Sequence, residues 1–260
     1  MIGVQPVPIP PPSAERLAGV AGVLIDIDDT LVDNKHAIRH AIAAIAGEYL
    51  PSDTDIDAAA AFFRDDRLGH YRAYARGEIG SRTQRWRRAQ DLHDHFGGAP
   101  LEDEAAAGPW IDAFDAAYAA GWRIHDDSVA FLATLDALGL PYGLLSNARR
   151  AQQVAKLKAV GLSAVPLLVC VDDFGYAKPD PRIFLEACKL LGTEPTGTVY
   201  VGDEFDIDAA AAVQAGLVGV WCDRPGAWER WGDADVEGSG ALRVESLAEL
   251  ASLLSPRSAP

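Results

Sequence analysis

Five short apolar segments rich in β-branched residues recur along this chain of 260 residues, and helical patterns separate them. The segments are GVLID (22–26), YGLLS (142–146), PLLVCV (166–171), TVYVGD (198–203) and LVGVWC (217–222). Their apolar residues follow one another without alternation, which is typical of strands covered on both faces of a sheet. The helical patterns between the later segments end at glycines, as helices commonly do. The chain is therefore predicted to form an α/β fold with a parallel sheet and right-handed crossovers.

Residues 34–121 interrupt this alternation, because they lack strand-like segments and are rich in alanine, arginine and aromatic residues. Two series with the spacing of one helix face lie in or beside this interval: Ile38, Ile42, Ile45 and Tyr49, and Trp110, Phe114, Tyr118 and Trp122. The pattern predicts an all-helical cap domain over 34–121, inserted into a Rossmann-like α/β core that comprises residues 20–33 and 122–255. The proline-rich residues 1–19 are expected to be a flexible tail.

Composition and charge narrow the class of partner. Hydrophobic residues make up 49% and charged residues 23% of the chain, and no run approaches the ~20 apolar residues of a membrane-spanning helix. The N-terminus also lacks the pattern of a signal peptide, so we expect a cytoplasmic protein with no membrane partner. The net charge of −15 argues against a nucleic-acid partner and favours a small-molecule substrate. The sequence indicates no particular oligomeric state.

Carboxylates are concentrated directly after the first predicted strand, where DIDDTLVD (26–33) contains four aspartates. In a parallel sheet the carboxyl ends of the strands meet at one edge, where ligands bind. Asp26, Ser146 and Asp203 end or follow three different predicted strands, so they are expected to converge there. Neighbouring carboxylates raise each other's pKa unless a cation is present, and Mg²⁺ is typically held by one or two carboxylates and a substrate phosphate. The sequence therefore predicts a Mg²⁺ site beside a phosphoryl group.

Two further segments supply groups that could hold such a phosphoryl group. Lys178 lies in YAKPDPRIF, and Ser146 and Asn147 lie in LLSNA. An ammonium, a hydroxyl and an amide can bind phosphoryl oxygens on the side opposite a metal ion.

Four segments, DIDDTLVD, LLSNA, AKPDPRIF and VGDEFDIDAAAAVQAG, resemble in order and spacing the four motifs of the haloacid dehalogenase (HAD) superfamily. The resemblance covers residues from about 20 to 222, and the helical insertion lies where that family places its C1-type cap. Four motifs in order are much more specific than a single D-x-D-x-T pattern. The resemblance implies a hydrolase with a Rossmann-like core, a helical cap and a bound Mg²⁺ ion.

The resemblance implies roles for residues of the first motif. Asp26 is expected to be a metal ligand and the nucleophile that attacks phosphorus to form an aspartyl-phosphate. Asp28 is expected to protonate the leaving oxygen and then to activate the hydrolytic water, while its backbone carbonyl binds the metal. Thr30 is expected to orient the Asp28 carboxyl, and it is also counted among the residues that bind the phosphate. Asp29 and Asp33 are expected only to shape the turn and the exit toward the cap.

The other three motifs complete the implied site. Ser146 and the backbone of Asn147 are expected to bind phosphoryl oxygens. Lys178 is expected to neutralise charge on the nucleophile and on the transferring group. Asp203 is expected to complete the metal site, and Asp208 to support the lysine or the metal-bound waters rather than to bind the metal directly.

Two features of the sequence favour phosphate-ester hydrolysis over the other reactions of the family. Members that dehalogenate or cleave phosphonates generally lack an acid two residues after the nucleophile, and the phosphonate-cleaving members supply a lysine from the cap. This chain has Asp28 and no lysine between Lys35 and Lys156. We therefore expect a Mg²⁺-dependent phosphatase that acts on a small phosphorylated metabolite. A 2-haloacid dehalogenase-type hydrolase and a non-catalytic HAD-like binding module are the alternatives.

Arginines are concentrated between residues 64 and 88 of the predicted cap. Most of them are expected on a solvated helix surface. Arg85 and Arg88 are hypothesised to line the substrate pocket, where a guanidinium can recognise a carboxylate or a second phosphate.

Overall fold

The computed structural model describes residues 14–224 and 236–255. Within them, six strands form one sheet in the order β3-β2-β1-β4-β5-β6. The strands are β1 (Gly22–Ile25), β2 (Tyr142–Ser146), β3 (Leu168–Cys170), β4 (Thr198–Gly202), β5 (Val218–Cys222) and β6 (Leu242–Val244). Every neighbouring pair runs parallel, so the predicted parallel α/β sheet is confirmed.

The five strands predicted from apolar segments are all present, with ends that differ from the prediction by no more than two residues. Every residue of β1, β2 and β4 is buried, which explains why their apolar character is unbroken. The sequence does not predict β6, because its segment LRV is only three residues long and has a charged residue at its centre.

Helices connect the strands and fill the long insertion after β1. They are α1 (Asn34–Tyr49), α2 (Ile56–Asp65), α3 (His70–Ala75), α4 (Ser81–Phe96), α5 (Gly108–Ala120), α6 (Ser128–Leu138), α7 (Arg150–Ala159), α8 (Val171–Phe174), α9 (Pro181–Leu191), α10 (Ala210–Gln214), α11 (Val236–Ser239) and α12 (Leu247–Leu254). Two 3₁₀ turns occupy Ala14–Leu17 and Pro195–Gly197, and a π-helical turn occupies Phe205–Ala209. Among the described helices, none combines the length and the apolar character needed to cross a membrane.

Local sequence explains where α9 begins and ends. The Asp180 side chain accepts a hydrogen bond from the Arg182 backbone N–H at 3.0 Å and so caps the first turn. Pro181 occupies the first helical position, where its missing N–H has no cost. Gly192 ends the helix in the left-handed region, with a φ of 78°. This helix follows Lys178 and fixes the direction in which the chain leaves it.

Internal contacts divide the chain into two compact units. The sheet unit comprises the described residues of Met1–Val32, Ile124–Asn147 and Ala164–Pro260. The helical unit comprises Asp33–Arg123 and Ala148–Ser163. The helical unit therefore contains the whole interval predicted to be a cap, and it also contains α7, which the sequence-based division placed in the core.

Two cation–π contacts tie the segment that contains α7 to the rest of the helical unit. Lys156 Nζ lies 5.5 Å from the centroid of the Tyr118 ring. The Arg149 guanidinium, directly before α7, lies 5.0 Å from the centroid of the Tyr74 ring. A helix that follows a strand of the sheet thus packs with the inserted helices.

The two apolar stripes predicted in the insertion face the core of the helical unit. Ile38 and Ile42 of α1 are buried, and α1 packs along α5. On α5, Trp110 and Phe114 are fully buried, and their rings stack with centroids 5.0 Å apart. Where α1 meets α5, the core of this unit is therefore built from aliphatic residues on one helix and aromatic residues on the other.

The predicted flexible tail, residues 1–19, lies partly outside the described residues, which begin at residue 14. Ala14–Leu17 form a 3₁₀ turn that packs against α12, and the Leu17 side chain is buried. The tail prediction is therefore wrong for this turn, because Leu17 gains more from covering α12 than from remaining in water.

Candidate active site

Three strand ends bring predicted site residues to one edge of the sheet. Asp26 directly follows β1, Ser146 ends β2 and Asp203 directly follows β4, and β1 lies between β2 and β4. The Asp26 backbone N–H donates to the Val201 carbonyl at 2.9 Å, which extends the β1–β4 pairing to this aspartate. The side chains of Asp26, Ser146 and Asp203 are all buried. The structure therefore places these residues together at the carboxyl edge.

Lys178 lies at the centre of a buried network at this edge. It lies between α8 and α9, and its side chain is only 4% exposed. Nζ donates to Asp26 Oδ1 at 2.6 Å, to Asp208 Oδ1 at 2.7 Å and to the Tyr200 hydroxyl at 2.8 Å. An ammonium has three N–H groups, so these three acceptors match its capacity. The network holds Lys178 directly against Asp26.

The side chain of Asn147 fixes the backbone of Lys178. Asn147 Nδ2 donates to the Lys178 carbonyl at 2.9 Å, and Asn147 Oδ1 accepts from the Lys178 N–H at 2.8 Å. A side-chain amide can make this reciprocal pair because it carries both a donor and an acceptor. The motif implies a role for the Asn147 backbone on phosphoryl oxygens, and the structure adds this second role for its side chain.

Both carboxylate oxygens of Asp208 are occupied by the protein. Oδ1 accepts from Lys178 and also from the Tyr200 hydroxyl, the latter at 3.0 Å, while Oδ2 accepts from the Glu204 backbone N–H at 3.0 Å. Gly202 makes room for this side chain, because a Cβ at residue 202 would lie only 2.6 Å from the Asp208 Cβ. The arrangement favours a supporting role toward Lys178 over direct binding of a metal.

The loop after β1 places the remaining residues of the first motif. Asp28 is half-buried, and Asp29 adopts the left-handed backbone region with a φ of 61°, which aspartate tolerates better than most side chains. Thr30 is fully buried, and its hydroxyl has no hydrogen-bond partner among the described residues. The Thr30 hydroxyl therefore makes no hydrogen bond to the Asp28 carboxyl, and the left-handed turn at Asp29 lies between the two residues.

Burial disfavours the charged forms of the carboxylates in this network. Burial raises the pKa of Asp26 to about 8; the Lys178 ammonium opposes this rise, and nearby carboxylates add to it. Burial and neighbouring carboxylates likewise raise the pKa of Asp203 well above its ordinary value. Burial lowers the pKa of Lys178, but the charges of Asp208 and Asp26 outweigh it and hold that pKa well above its ordinary value. To ionise both Asp26 and Asp203, the site thus needs more positive charge than the single Lys178 ammonium supplies.

A divalent cation fits this acidic group. One carboxylate oxygen from each of Asp26, Asp203 and Asp208 lies within 4.8 Å of the others, and all three residues are buried. Lys178 and the Glu204 backbone N–H already occupy the carboxylate oxygens of Asp208. The carboxylates best placed to hold an ion are therefore those of Asp26 and Asp203. Oxygen ligands of this kind suit Mg²⁺, which binds one or two carboxylates and keeps several waters. Such a cation would lower the pKa of both aspartates and so offset their burial.

A family model for haloacid dehalogenase-like hydrolases matches residues 20–216 of the chain. The matched interval begins just before β1 and ends just after α10, so it includes all four motifs and the network around Lys178. The protein belongs to the HAD-like hydrolases. The resemblance drawn from the four motifs is therefore confirmed.

Several curated relatives of this HAD hydrolase are named as phosphatases. Glyceraldehyde 3-phosphate phosphatase of Methanopyrus kandleri is 29% identical over 206 residues, which cover 77% of this chain and 83% of that protein. Ribulose-1,5-bisphosphate 5-phosphatase of Halopiger xanaduensis is 28% identical over 242 residues, which cover 90% of this chain and 98% of that protein. Phosphoserine phosphatase of Thermus thermophilus is 36% identical over 130 residues, which cover 50% of each chain.

Solved structures share the fold of this HAD hydrolase. The crystal structure of a dehalogenase matches with a TM-score of 0.70 and 23% identity, over 92% of this chain and 99% of that one. The HAD hydrolase YfnB from Bacillus subtilis, solved bound to magnesium, matches with a TM-score of 0.70 and 18% identity, over 90% and 98% of the two chains. At these identities the likeness shows a common fold.

Tyr200 is a residue of this network that the motifs do not identify. It lies in the buried segment TVYVGD, and its ring packs edge-on against Phe184 with centroids 4.9 Å apart. A signal was present in the sequence, because a buried tyrosine needs a partner for its hydroxyl and this one precedes Asp203 by only three residues. The partners themselves, Lys178 and Asp208, are visible only in the folded structure.

The two cap arginines expected to line a substrate pocket are engaged within the helical unit. Arg85 Nε lies 2.9 Å from Asp115 Oδ1, and the Arg85 guanidinium lies 4.7 Å from the centroid of the Phe114 ring. Arg88 is buried and donates through Nη2 to the Phe63 carbonyl at 2.6 Å. A buried guanidinium requires such partners, and these contacts count against a role for either arginine in substrate recognition.

Proposed function

We propose that this HAD hydrolase is a Mg²⁺-dependent phosphatase that hydrolyses a small phosphorylated metabolite through an aspartyl-phosphate on Asp26. The observation that carries the proposal is the buried Lys178 ammonium, which lies 2.6 Å from the Asp26 carboxylate and is held there by Asp208. An ammonium at this place opposes the rise that burial causes in the pKa of the nucleophile, and it lies near the charge that develops on a transferring phosphoryl group. The phosphatase names of several relatives support the same reaction.

The proposed reaction has two half-reactions. In the first, Asp26 attacks phosphorus and forms a P–O bond, while the alcohol leaves and receives the proton of Asp28. In the second, Asp28 takes a proton from a water molecule as that water attacks phosphorus, and the bond between phosphorus and Asp26 breaks to release phosphate. Lys178 compensates negative charge in both steps. Bound Mg²⁺ supplies electrostatic stabilisation of the phosphoryl oxygens, and Asp26, Asp203 and the Asp28 carbonyl would hold it.

Residues at the ends of β1 and β2 would bind the phosphoryl group. Ser146 is buried at the end of β2, and we assign its hydroxyl and the Asn147 backbone to phosphoryl oxygens. Thr30 stays in this set, because its buried hydroxyl has no partner among the residues that the structure describes. The interval 34–121 is assigned the role of the cap that selects the substrate.

Asp28 favours phosphate-ester hydrolysis over dehalogenation. Dehalogenating members of the family generally lack an acid at this position, whereas Asp28 is present and half-buried two residues after Asp26. The solved dehalogenase described above is 23% identical to this chain, so its likeness concerns the fold alone.

Hydrolysis of an aryl phosphate with and without Mg²⁺ tests the proposal. We expect the wild-type protein to release phosphate only when Mg²⁺ is present, and the Asp26→Asn variant to be folded but inactive. Asp206→Asn is the matched control, because Asp206 is an exposed aspartate of the fourth motif and its loss should leave activity unchanged. Halide release from a 2-haloacid without added metal would instead identify a dehalogenase. A folded wild-type protein that is inactive on a broad panel of phosphate esters would indicate a binding module.

A further inference from the structure

The three acceptors of the Lys178 ammonium differ in kind. Asp26 and Asp208 are carboxylates, whereas Tyr200 offers a neutral hydroxyl. Tyr200 is fully buried on β4, and its hydroxyl also donates to Asp208 Oδ1 at 3.0 Å. The hydroxyl therefore accepts from the ammonium and donates to the carboxylate. Together the three groups close a triangle of hydrogen bonds on the side of Lys178 that includes Asp208.

We propose that Tyr200 is a positioning residue for the phosphatase reaction, because its hydroxyl orients the Lys178 ammonium so that one N–H points at Asp26 Oδ1. This inference rests on the proposed function. With Tyr200 and Asp208 each taking one N–H, the third is directed to Asp26. Without the hydroxyl, one N–H of a buried ammonium has no acceptor, and the ammonium can rotate between the two carboxylates.

The placement of the Tyr200 ring suits this role. β4 lies between β1 and β5 in the sheet, and Tyr200 pairs in register with Leu24, two residues before Asp26. The ring is held edge-on against Phe184 of α9. A tyrosine fixed on the strand next to β1 can therefore hold its hydroxyl at a constant position relative to Asp26.

Kinetics of the Tyr200→Phe variant test the catalytic consequence. The substitution removes only the hydroxyl and keeps the ring that packs on Phe184. We expect kcat for an aryl phosphate to fall about tenfold, the scale of one hydrogen bond to a charged group. KM is expected to stay close to the wild-type value, because the hydroxyl acts on the lysine and not on substrate binding.

Tyr142→Phe is the matched control. Tyr142 is also a buried tyrosine of the sheet, but it begins β2, at the end opposite Ser146. The kcat of the Tyr142→Phe variant is expected to match that of the wild-type protein. All proteins are assayed at a temperature at which circular dichroism shows every variant to be folded, so that a loss of stability cannot pass for a loss of kcat.

A second readout does not depend on activity. An ammonium with three hydrogen bonds exchanges its protons slowly, so Lys178 Nζ should give a ¹H–¹⁵N NMR correlation that disappears in Lys178→Met. We expect this signal to broaden in Tyr200→Phe and to remain unchanged in Tyr142→Phe. Absence of the signal from the wild-type protein would contradict the three-bond arrangement itself.

The outcomes separate the two proposals. If the Tyr200→Phe signal matches the wild-type signal, Tyr200 does not position Lys178, whatever the kcat. If the signal broadens but kcat stays at the wild-type value, positioning has no consequence for the reaction, and the inference is overturned. If the wild-type protein releases no phosphate at all, the proposed function fails, while the NMR signal still decides whether Tyr200 holds the lysine.

Discussion

Lys178 and Asp26 form a buried ion pair, and its loss should affect both folding and catalysis. Lys178→Met leaves the buried carboxylates of Asp26 and Asp208 without their counter-charge. We expect the free energy of unfolding to fall by about 3 kcal/mol and kcat to fall by about 10²–10³. Denaturant unfolding and steady-state kinetics measure the two effects. Lys189→Met is the control, because Lys189 is exposed and pairs with the surface carboxylate of Glu186. A Lys178→Met variant with wild-type kcat would contradict the assigned role.

Asp208 and Asp203 should respond differently to titration with Mg²⁺. In Asp208→Asn we expect kcat to fall about 10- to 100-fold, because Lys178 loses an acceptor, while half-maximal activity needs a similar Mg²⁺ concentration. In Asp203→Asn we expect the required Mg²⁺ concentration to rise at least about tenfold, because a metal ligand is lost. Activity measured over a series of Mg²⁺ concentrations distinguishes the two variants. An equal rise in both would show that Asp208 also binds the ion.

Gly202 illustrates how a residue without a side chain determines the position of one with a charge. A Cβ at residue 202 would collide with the Asp208 side chain. We expect Gly202→Ala to lower the free energy of unfolding by about 1–3 kcal/mol and to reduce kcat, because Asp208 is displaced from Lys178. Gly47→Ala is the opposite control: Gly47 lies exposed in α1 with open space around it, so alanine should stabilise that helix by up to about 1 kcal/mol. An unchanged free energy of unfolding in Gly202→Ala would show that the π-helical turn that contains Asp208 can move to make room for the new Cβ.

Among the elements of the sheet unit, Asp127 connects α6, α12 and the end of β5. It precedes α6, its Oδ1 accepts from Arg224 Nη2 at 2.8 Å, and its Oδ2 accepts from the Leu247 backbone N–H of α12 at 2.8 Å. Arg224 Nη2 also donates to the Thr30 carbonyl at 2.8 Å. One carboxylate thus joins three elements to the loop that follows β1.

The Asp127 connection should weaken in acid. Burial raises the pKa of Asp127, but the hydrogen bonds and the charge of Arg224 outweigh burial and hold this pKa below its ordinary value. A lowered native pKa means that the carboxylate stabilises the fold above the unfolded-state pKa of about 3.9 and loses that effect as pH falls through the native pKa. We expect Asp127→Asn to cost about 1 kcal/mol near neutral pH and almost nothing once the carboxylate is protonated. Denaturant unfolding of both proteins across this range measures the difference; a gap that persists in acid would contradict the linkage.

Elements that depend on local pattern could be predicted, and elements that depend on distant contacts could not. Strands β1 to β5 are visible as apolar segments, and α1 and α5 are visible as stripes with helical spacing. β6 leaves no such pattern, because a charged residue lies at the centre of its segment LRV. The grouping of α7 with the inserted helices depends on contacts such as that of Lys156 with Tyr118, which join residues far apart in the chain.

At the level of the whole molecule, the four motifs located the carboxylates and the lysine, because their order and spacing imply one edge of a parallel sheet. The motifs did not indicate which acceptors would satisfy Lys178, since Tyr200 on β4 and Lys178 before α9 are far apart in the sequence and meet only in the folded structure. The side-chain role of Asn147 was hidden for the same reason. The pattern of residues thus predicted which groups meet, while the hydrogen bonds that orient them follow from the folded structure.

The proposed reaction requires Asp26 to be phosphorylated during turnover. This phosphorylation can be detected by acid quenching of the wild-type protein while it hydrolyses an aryl phosphate with Mg²⁺, followed by peptide mass spectrometry. We predict one phosphoryl group on the peptide that contains Asp26, and none in Asp26→Asn or in the absence of Mg²⁺. Phosphate release without a phosphoryl group on Asp26, or with one on a different residue, would contradict the proposed reaction.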